Sequence, residues 1–180
     1  EEAFRIGEHR MASPAMDDRC ACALLVSLMQ KLPACRHTVV AVFTTQEEVG
    51  CRGGRTAAYS VEPTEGIALD VTLTGDTPED RKLAVNLGEG PAVKIMDALS
   101  ISNPAMVRGL IAAAERAGVA YQREVLPYGG TDAGAMQLSR GGLPVCTLSI
   151  PCRYVHSACE MVDLRDIEAA EKLLLTYLAD

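Results

Sequence analysis

Tryptophan is absent from the sequence, and two phenylalanines and five tyrosines are the only aromatic rings in 180 residues. So few rings make no base-stacking platform. Basic residues are also in the minority, 17 against 24 acidic ones, for a formal net charge of −7. Nucleic acid is therefore excluded as a partner, because its binding rests on cations that neutralise phosphates. Long apolar runs are missing too. The strongest, residues 20–29, is interrupted by Ser27 and followed by Gln30 and Lys31, well short of the ~20 residues a membrane span requires. The chain opens Glu-Glu-Ala-Phe-Arg, with neither an initiator Met nor a basic, apolar leader, which predicts a piece excised or processed from a longer protein. Seven cysteines form no CxxC pair. They read as reduced, buried small hydrophobes of a cytoplasmic protein.

What is present suits one folded domain. Hydrophobic residues make up 48% of the chain, enough for a sizeable core. Helices are predicted over residues 20–32, 53–60, 104–117, 131–139 and 163–178. The third has Asn103 as N-cap, Pro104 at its first position and Gly118 as terminator. Strands are predicted over residues 38–45 (TVVAVFTT), 66–71 (GIALDV), 92–95, 119–126 and 144–150 (PVCTLSI). Residues 74–90, rich in Gly, Asp, Pro and Glu, read as a surface loop. This alternation predicts an α/β fold, a mixed, mainly parallel sheet flanked by helices on both faces.

In such sheets ligands gather at the carboxyl ends of strands. Glu47 and Glu48 follow the strand at 38–45, Asp70 ends the one at 66–71, and His156, one of three histidines, follows the one at 144–150. Asp17 precedes the first helix. Carboxylates crowded on one side of an apolar sheet repel one another unless a cation neutralises them, and Asp, Glu and His are ligands for Zn²⁺, Mn²⁺ or Co²⁺. Each acid also has a plainer reading, as a helix cap or a solvated charge. In an adjacent glutamate pair, one member can bind metal while the other serves as a general base.

Five strings in order, AMDDR (15–19), TTQEEVGCRGG (44–54), ALD (68–70), GGTDAGAMQLSRGGLP (129–144) and IPCRYVHSACE (150–160), resemble the glutamyl/deblocking aminopeptidase family of dinuclear, tetrahedral-type metallopeptidases. The resemblance runs from about Met11 to Leu178. It implies two divalent cations (Zn, Co or Mn), with Asp17 bridging them, Glu48 and His156 on one, Asp70 on the other, and Glu47 as general base. It further implies peptide substrates and, for the complete protein, a homo-oligomer, the dodecamer. Residues 1–10 would be a remnant of the family's inserted domain and residues 11–180 a catalytic domain incomplete at its N-terminus.

One feature departs from the family pattern. The family's further ligand, a His in an HxD string, has no counterpart here: His9 is followed by Arg-Met and His37 by Thr-Val. The chain is therefore expected to be a metal-dependent aminopeptidase, or else a non-catalytic fragment or subunit of that fold, inactive for want of that His. Lys94 occupies the position at which members acting on acidic residues resemble one another in carrying a base, so it is a candidate for pairing with a substrate carboxylate, or an exposed edge-strand lysine. Gly130 and Thr131 are expected to wall the substrate pocket, or simply to form a turn and helix cap. Arg153 and Tyr154 are expected to orient His156. A thiol nucleophile at Cys152, paired with His156, lacks any orienting third residue.

Overall fold

The computed structural model describes residues 2–78 and 82–179. Residues 79–81, within the predicted loop, lie outside the described residues. In chain order the elements are β1 (Phe4–Ile6), β2 (Arg10–Ser13), α1 (Met16–Lys31), α2 (Arg52–Val61), β3 (Gly66–Leu73), β4 (Ala92–Met96), α3 (Pro104–Ala117), β5 (Gln122–Val125), α4 (Asp132–Gln137), β6 (Val145–Arg153), β7 (Glu160–Asp163) and α5 (Leu164–Leu178).

The strands form one mixed sheet in the order β1-β2-β7-β6-β4-β5, with β3 also on β6. Parallel pairs join β3 to β6 and β4 to β5; the pairs β1–β2, β2–β7, β4–β6 and β6–β7 are antiparallel. The α/β class with a mixed sheet flanked by helices holds; among the described residues antiparallel pairs outnumber the expected parallel ones, because the short returns through β1, β2 and β7 add antiparallel neighbours. β6 is buried from Val145 to Cys152, as befits an apolar strand covered on both faces. Helices α1, α3 and α5 build the larger core with Leu24, Leu110, Leu148, Ile150, Leu173 and Leu174. A smaller core on α2 and α4 gathers Ala58, Ala68, Ala133, Leu143 and Val145. The signals around α3 act as the sequence predicts. The Asn103 side chain accepts hydrogen bonds from the amides of Ala105 and Met106, and Gly118 takes the left-handed conformation that ends the helix.

Two departures matter for the site. The strand predicted at residues 38–45 has no ladder partner among the described residues; Val40, Val42 and Phe43 are 53%, 40% and 53% exposed. Its β-branched composition favours extension, but a strand needs neighbours to pair with, and propensity supplies none. Conversely β1, β2 and β7 were not foreseen, being three or four residues each. They are short enough for pairing geometry rather than composition to decide them. β2 runs antiparallel to β7, with Ser13 opposite Glu160, and the amide of Leu164 donates to the carbonyl of His9. That return brings the turn before Asp17 beside the segment that carries His156.

The described part of the loop is tied down by charge. Arg153 grips Asp76 through two bonds of 3.0 and 2.7 Å, and Asp166 accepts from the amides of Gly88 and Gly90, both at 2.7 Å. Burial pushes the Asp76 carboxyl up, but bonds from Arg153, Thr74 and the Leu87 amide outweigh it and hold the group at about 2. The expected role of Arg153 beside His156 is thus taken by a loop anchor.

Candidate metal centre

Asp17, Glu47, Glu48 and His156 come from segments whose backbone is locally constrained. Helical geometry breaks at the start of α1: Asp17 has φ −76°, ψ 105° and Asp18 φ −122°, ψ 47°. That break turns the Asp17 carboxylate off the helix, while Asp18 Oδ1 accepts from the Ala21 amide at 3.3 Å and caps the turns that follow. Ala15, Gln46, Cys51, Tyr154 and His156 all have φ between 51° and 63°. Left-handed residues other than glycine cost roughly 1–3 kcal/mol each and persist where their surroundings impose them. Here they flank Asp17, Glu47 and Glu48, and His156 is itself one of them.

Asp17, Glu48 and His156 come together, with one donor atom from each lying within 4.8 Å of the others. His156 Nε2 is 3.3 Å from Asp17 Oδ2 and 3.2 Å from Glu48 Oε2. Donors about 2.0–2.1 Å from one tetrahedral ion stand about 3.3 Å apart, so these three residues fit a divalent cation. Their chemistry agrees: burial, then the hydrogen bond and charge of Glu48, raise the Asp17 carboxyl to about 7, and the charge of Glu160 adds to this while His156 opposes it. Burial likewise lifts Asp18 to about 8 against the opposing Ala21 amide. Asp70 stands outside the triad. Burial and the charges of Asp18, Glu47 and Asp17 hold its carboxyl well above the usual range. A set of acids that resist ionising together is a site for positive charge.

Glu47 is not one of the three donors, though the charges of Glu48 and His156 both act on it. Its Oε1 accepts from the Cys51 thiol at 3.3 Å, and Glu47, Cys51 and Asp132 form a second group with donor atoms within 4.8 Å. Burial raises the Glu47 carboxyl; the Cys51 thiol lowers it, and the charges of Asp132 and Glu48 raise it further. Asp132 is held by the Thr44 hydroxyl at 2.6 Å. Gly54 permits this approach, for a Cβ there would lie 2.5 Å from Asp132 Cγ.

Sequence reasoning missed Glu160. Its Oε2 accepts from the Asp17 amide and its Oε1 from the His156 amide, each at 2.8 Å, and it is 3% exposed. One buried carboxylate therefore holds the backbones of two predicted ligands. The signal was present, since Glu160 closes the string IPCRYVHSACE, but only the β2–β7 pairing shows what the acid faces.

Three predicted substrate residues lie elsewhere. Lys94 is fully buried, neither exposed nor open to a substrate, and its Nζ is 3.2 Å from Glu124 Oε1. Glu124 also accepts from the Thr72 and Ser149 hydroxyls, so this network ties β3, β4, β5 and β6 together. Lys94→Met is expected to destabilise the chain by about 3–5 kcal/mol, the cost of leaving a buried charge unpaired. The urea midpoint measures it, and a Lys94→Met/Glu124→Leu pair should recover much of the loss. A single variant as stable as wild type would mean that the pair holds nothing. Thr131 is buried, shares a 2.9 Å hydrogen bond with Thr147 and caps α4. Gly130 packs on Leu99, whose Cδ1 would lie 2.4 Å from an added Cβ. Both serve packing and capping here.

Comparison with known proteins gives a consistent picture. The family model for M42 glutamyl aminopeptidase matches residues 1–173. A protein of Acetivibrio thermocellus with an aminopeptidase name is 45% identical over 163 residues, covering 91% of this chain and 49% of that protein. The lysyl aminopeptidase of Pyrococcus furiosus is 35% identical over 177 residues, covering 98% and 50%. Among solved structures, aminopeptidase APDkam598 from Desulfurococcus kamchatkensis superposes with a TM-score of 0.96 at 36% identity, over 99% of this chain and 51% of that one. The Pyrococcus horikoshii TET1 peptidase, described as assembling into a tetrahedron or a large octahedral shell, gives 0.86 at 28% identity, over 99% and 53%. The chain spans about half the length of these relatives.

Proposed function

Because this chain belongs to the M42 glutamyl aminopeptidase family, we propose that it carries the catalytic centre of a metal-dependent aminopeptidase that removes N-terminal residues from short peptides. The observation that supports this most directly is the convergence of Asp17, Glu48 and His156 at ligand spacing. In this reading those three residues hold one divalent cation, and Asp17 and Asp70 contribute to a second; Zn²⁺, Co²⁺ and Mn²⁺ all suit carboxylate and imidazole donors. Bound cations would supply Lewis acidity toward the scissile carbonyl.

The remaining steps fall to side chains. Glu47 takes a proton from the attacking water and returns it to the leaving amine. Its raised carboxyl suits a group that must give the proton back. The Cys51 thiol orients it, and Glu160 fixes the main chain at Asp17 and His156. The acidic-residue preference loses the lysine that suggested it, since Lys94 is committed to Glu124. Assembly into a homo-oligomer, the dodecamer, is part of the reading and is supported by the tetrahedral form described for the Pyrococcus horikoshii peptidase. Cytoplasmic residence is supported by seven free cysteines. Among the described residues no helix is long and apolar enough to cross a membrane.

The test joins the chain to the half of the Acetivibrio thermocellus relative that it does not match. Metal content is then measured with amino-acid amide and peptide hydrolysis. Chelation should abolish stepwise release from the N-terminus, and Zn²⁺, Co²⁺ or Mn²⁺ should restore it. A well-folded protein that binds no metal, or that cleaves internally, would overturn the reading.

A further inference from the structure

Strands β3 and β6 run parallel from Gly66 opposite Val145 to Leu73 opposite Cys152, and beyond that pair the ladder ends. The β3 side runs on into residues 74–90, while the β6 side passes through Arg153 into the turn that carries His156. An ion pair spans the open end. Arg153 donates from Nε to Asp76 Oδ1 at 3.0 Å and from Nη2 to Oδ2 at 2.7 Å, with the two side chains only 17% and 19% exposed. A two-pronged bond of this kind fixes direction as well as distance. The guanidinium is thus turned to the loop, whereas the imidazole Nε2 faces Asp17 and Glu48.

The turn that carries His156 is constrained along its length. Tyr154 and His156 are both left-handed, the Ser157 amide donates to the Tyr154 carbonyl at 3.1 Å, and Val155 packs against the larger core. A turn held in this way moves as one piece, so its place is set by the two stems on which it stands. One stem is Glu160, whose carboxylate takes the amides of His156 and Asp17. The other is Arg153, the residue of β6 that lies opposite Met161 of β7. Asp76 offers that stem a fixed partner. It accepts from the Leu87 amide at 3.0 Å, the Gly75 amide donates to the Val85 carbonyl at 2.8 Å, and a Cβ at Gly75 would collide with the Leu83 main chain. Metal ligands must sit within about 0.2 Å of their ideal distances, so a small shift of either stem is felt at the imidazole.

We propose that Arg153 and Asp76 are positioning residues of the metal centre, whose ion pair pins the open ends of β3 and β6 and thereby sets His156 against Asp17 and Glu48. The inference rests on the reading of those three residues as ligands. Arg153 acts through the main chain, without touching the imidazole, and residues 74–90 acquire the task of holding Asp76. Asp166 provides the comparison, because it grips the same loop further along, at the amides of Gly88 and Gly90. A pair that only steadied the loop would act on the centre no more than Asp166 does.

Zn²⁺ affinity, read by chelator competition on the chain joined to the unmatched half of the Acetivibrio thermocellus relative, tests this independently of catalysis. Amide exchange of residues 154–159 in the metal-free protein accompanies it. Arg153→Lys keeps the charge and loses the fork, and Asp76→Asn keeps the shape and loses the charge. Each should weaken Zn²⁺ binding by about 10–100-fold, the usual cost of losing a group that orients a ligand, and should speed exchange at residues 154–159. Asp166→Asn should speed exchange at Gly88 and Gly90 and leave Zn²⁺ affinity as in wild type. Wild-type affinity in both folded Arg153→Lys and Asp76→Asn overturns the proposal and leaves the ligand reading standing. An equal loss in Asp166→Asn also overturns it, because any loosening of the loop would then suffice, as does failure of both pair variants to fold, which would make the pair a structural tie. A wild-type protein that binds no Zn²⁺ removes the ligand reading and this inference together.

Discussion

Glu47→Gln in the completed protein is expected to lower kcat for amino-acid amides by about 10²–10⁴-fold, the usual contribution of a positioned general base, without changing metal content. The amide has nearly the shape of the carboxylate but cannot accept the proton of the attacking water. Glu47 is not one of the three donors Asp17, Glu48 and His156, which is why metal binding should survive. Its neighbours allow a graded control. Cys51→Ala removes only the thiol that donates to Glu47, so it should shift the acid limb of the kcat profile upward in pH, since that bond lowers the carboxyl, and lose little rate at the optimum. Steady-state kinetics and metal analysis on one preparation decide the matter. Retained turnover in Glu47→Gln would remove Glu47 as the base.

Glu160→Ala should produce the largest effect on the centre itself. Two amides would lose their acceptor, those of Asp17 and His156, in a place nearly closed to solvent. Buried donors left unsatisfied cost about 1–3 kcal/mol each, and removing the groups that orient ligands commonly weakens metal binding by about 10–100-fold. Chelator competition and chemical denaturation would read the two losses separately. Glu160→Gln should fall between wild type and Ala, because its carbonyl can still accept from one amide while its NH₂ opposes the other. Unchanged metal affinity in Glu160→Ala would show that other contacts hold the two ligands.

Much of this was legible in the chain. Helix α3 could be placed from Asn103, Pro104 and Gly118 because caps act within a few residues of themselves. β3, β4 and β6 could be found from short apolar runs, and the ligand candidates from acids and a histidine placed just after strands. The strand at 38–45 misled for the opposite reason. Its residues favour extension, but a strand is completed by partners distant in sequence, and among the described residues none adjoins it. Lys94 misled similarly. Whether a lysine meets a substrate or a glutamate depends on which strand lies alongside, and the register of β4 on β5 sets Lys94 opposite Glu124.

The sequence alone therefore determined the α/β class, the local helix signals and the identity of the groups able to bind a cation, all properties carried by short stretches of chain. Only the tertiary structure decided which of those groups meet. It brought Asp17, Glu48 and His156 together from three segments, set Asp70 to one side, turned Glu47 toward Cys51 and Asp132, and gave Glu160 its place beneath two ligands. Distances between residues more than a hundred positions apart follow from strand register and helix packing, which no local pattern of side chains contains.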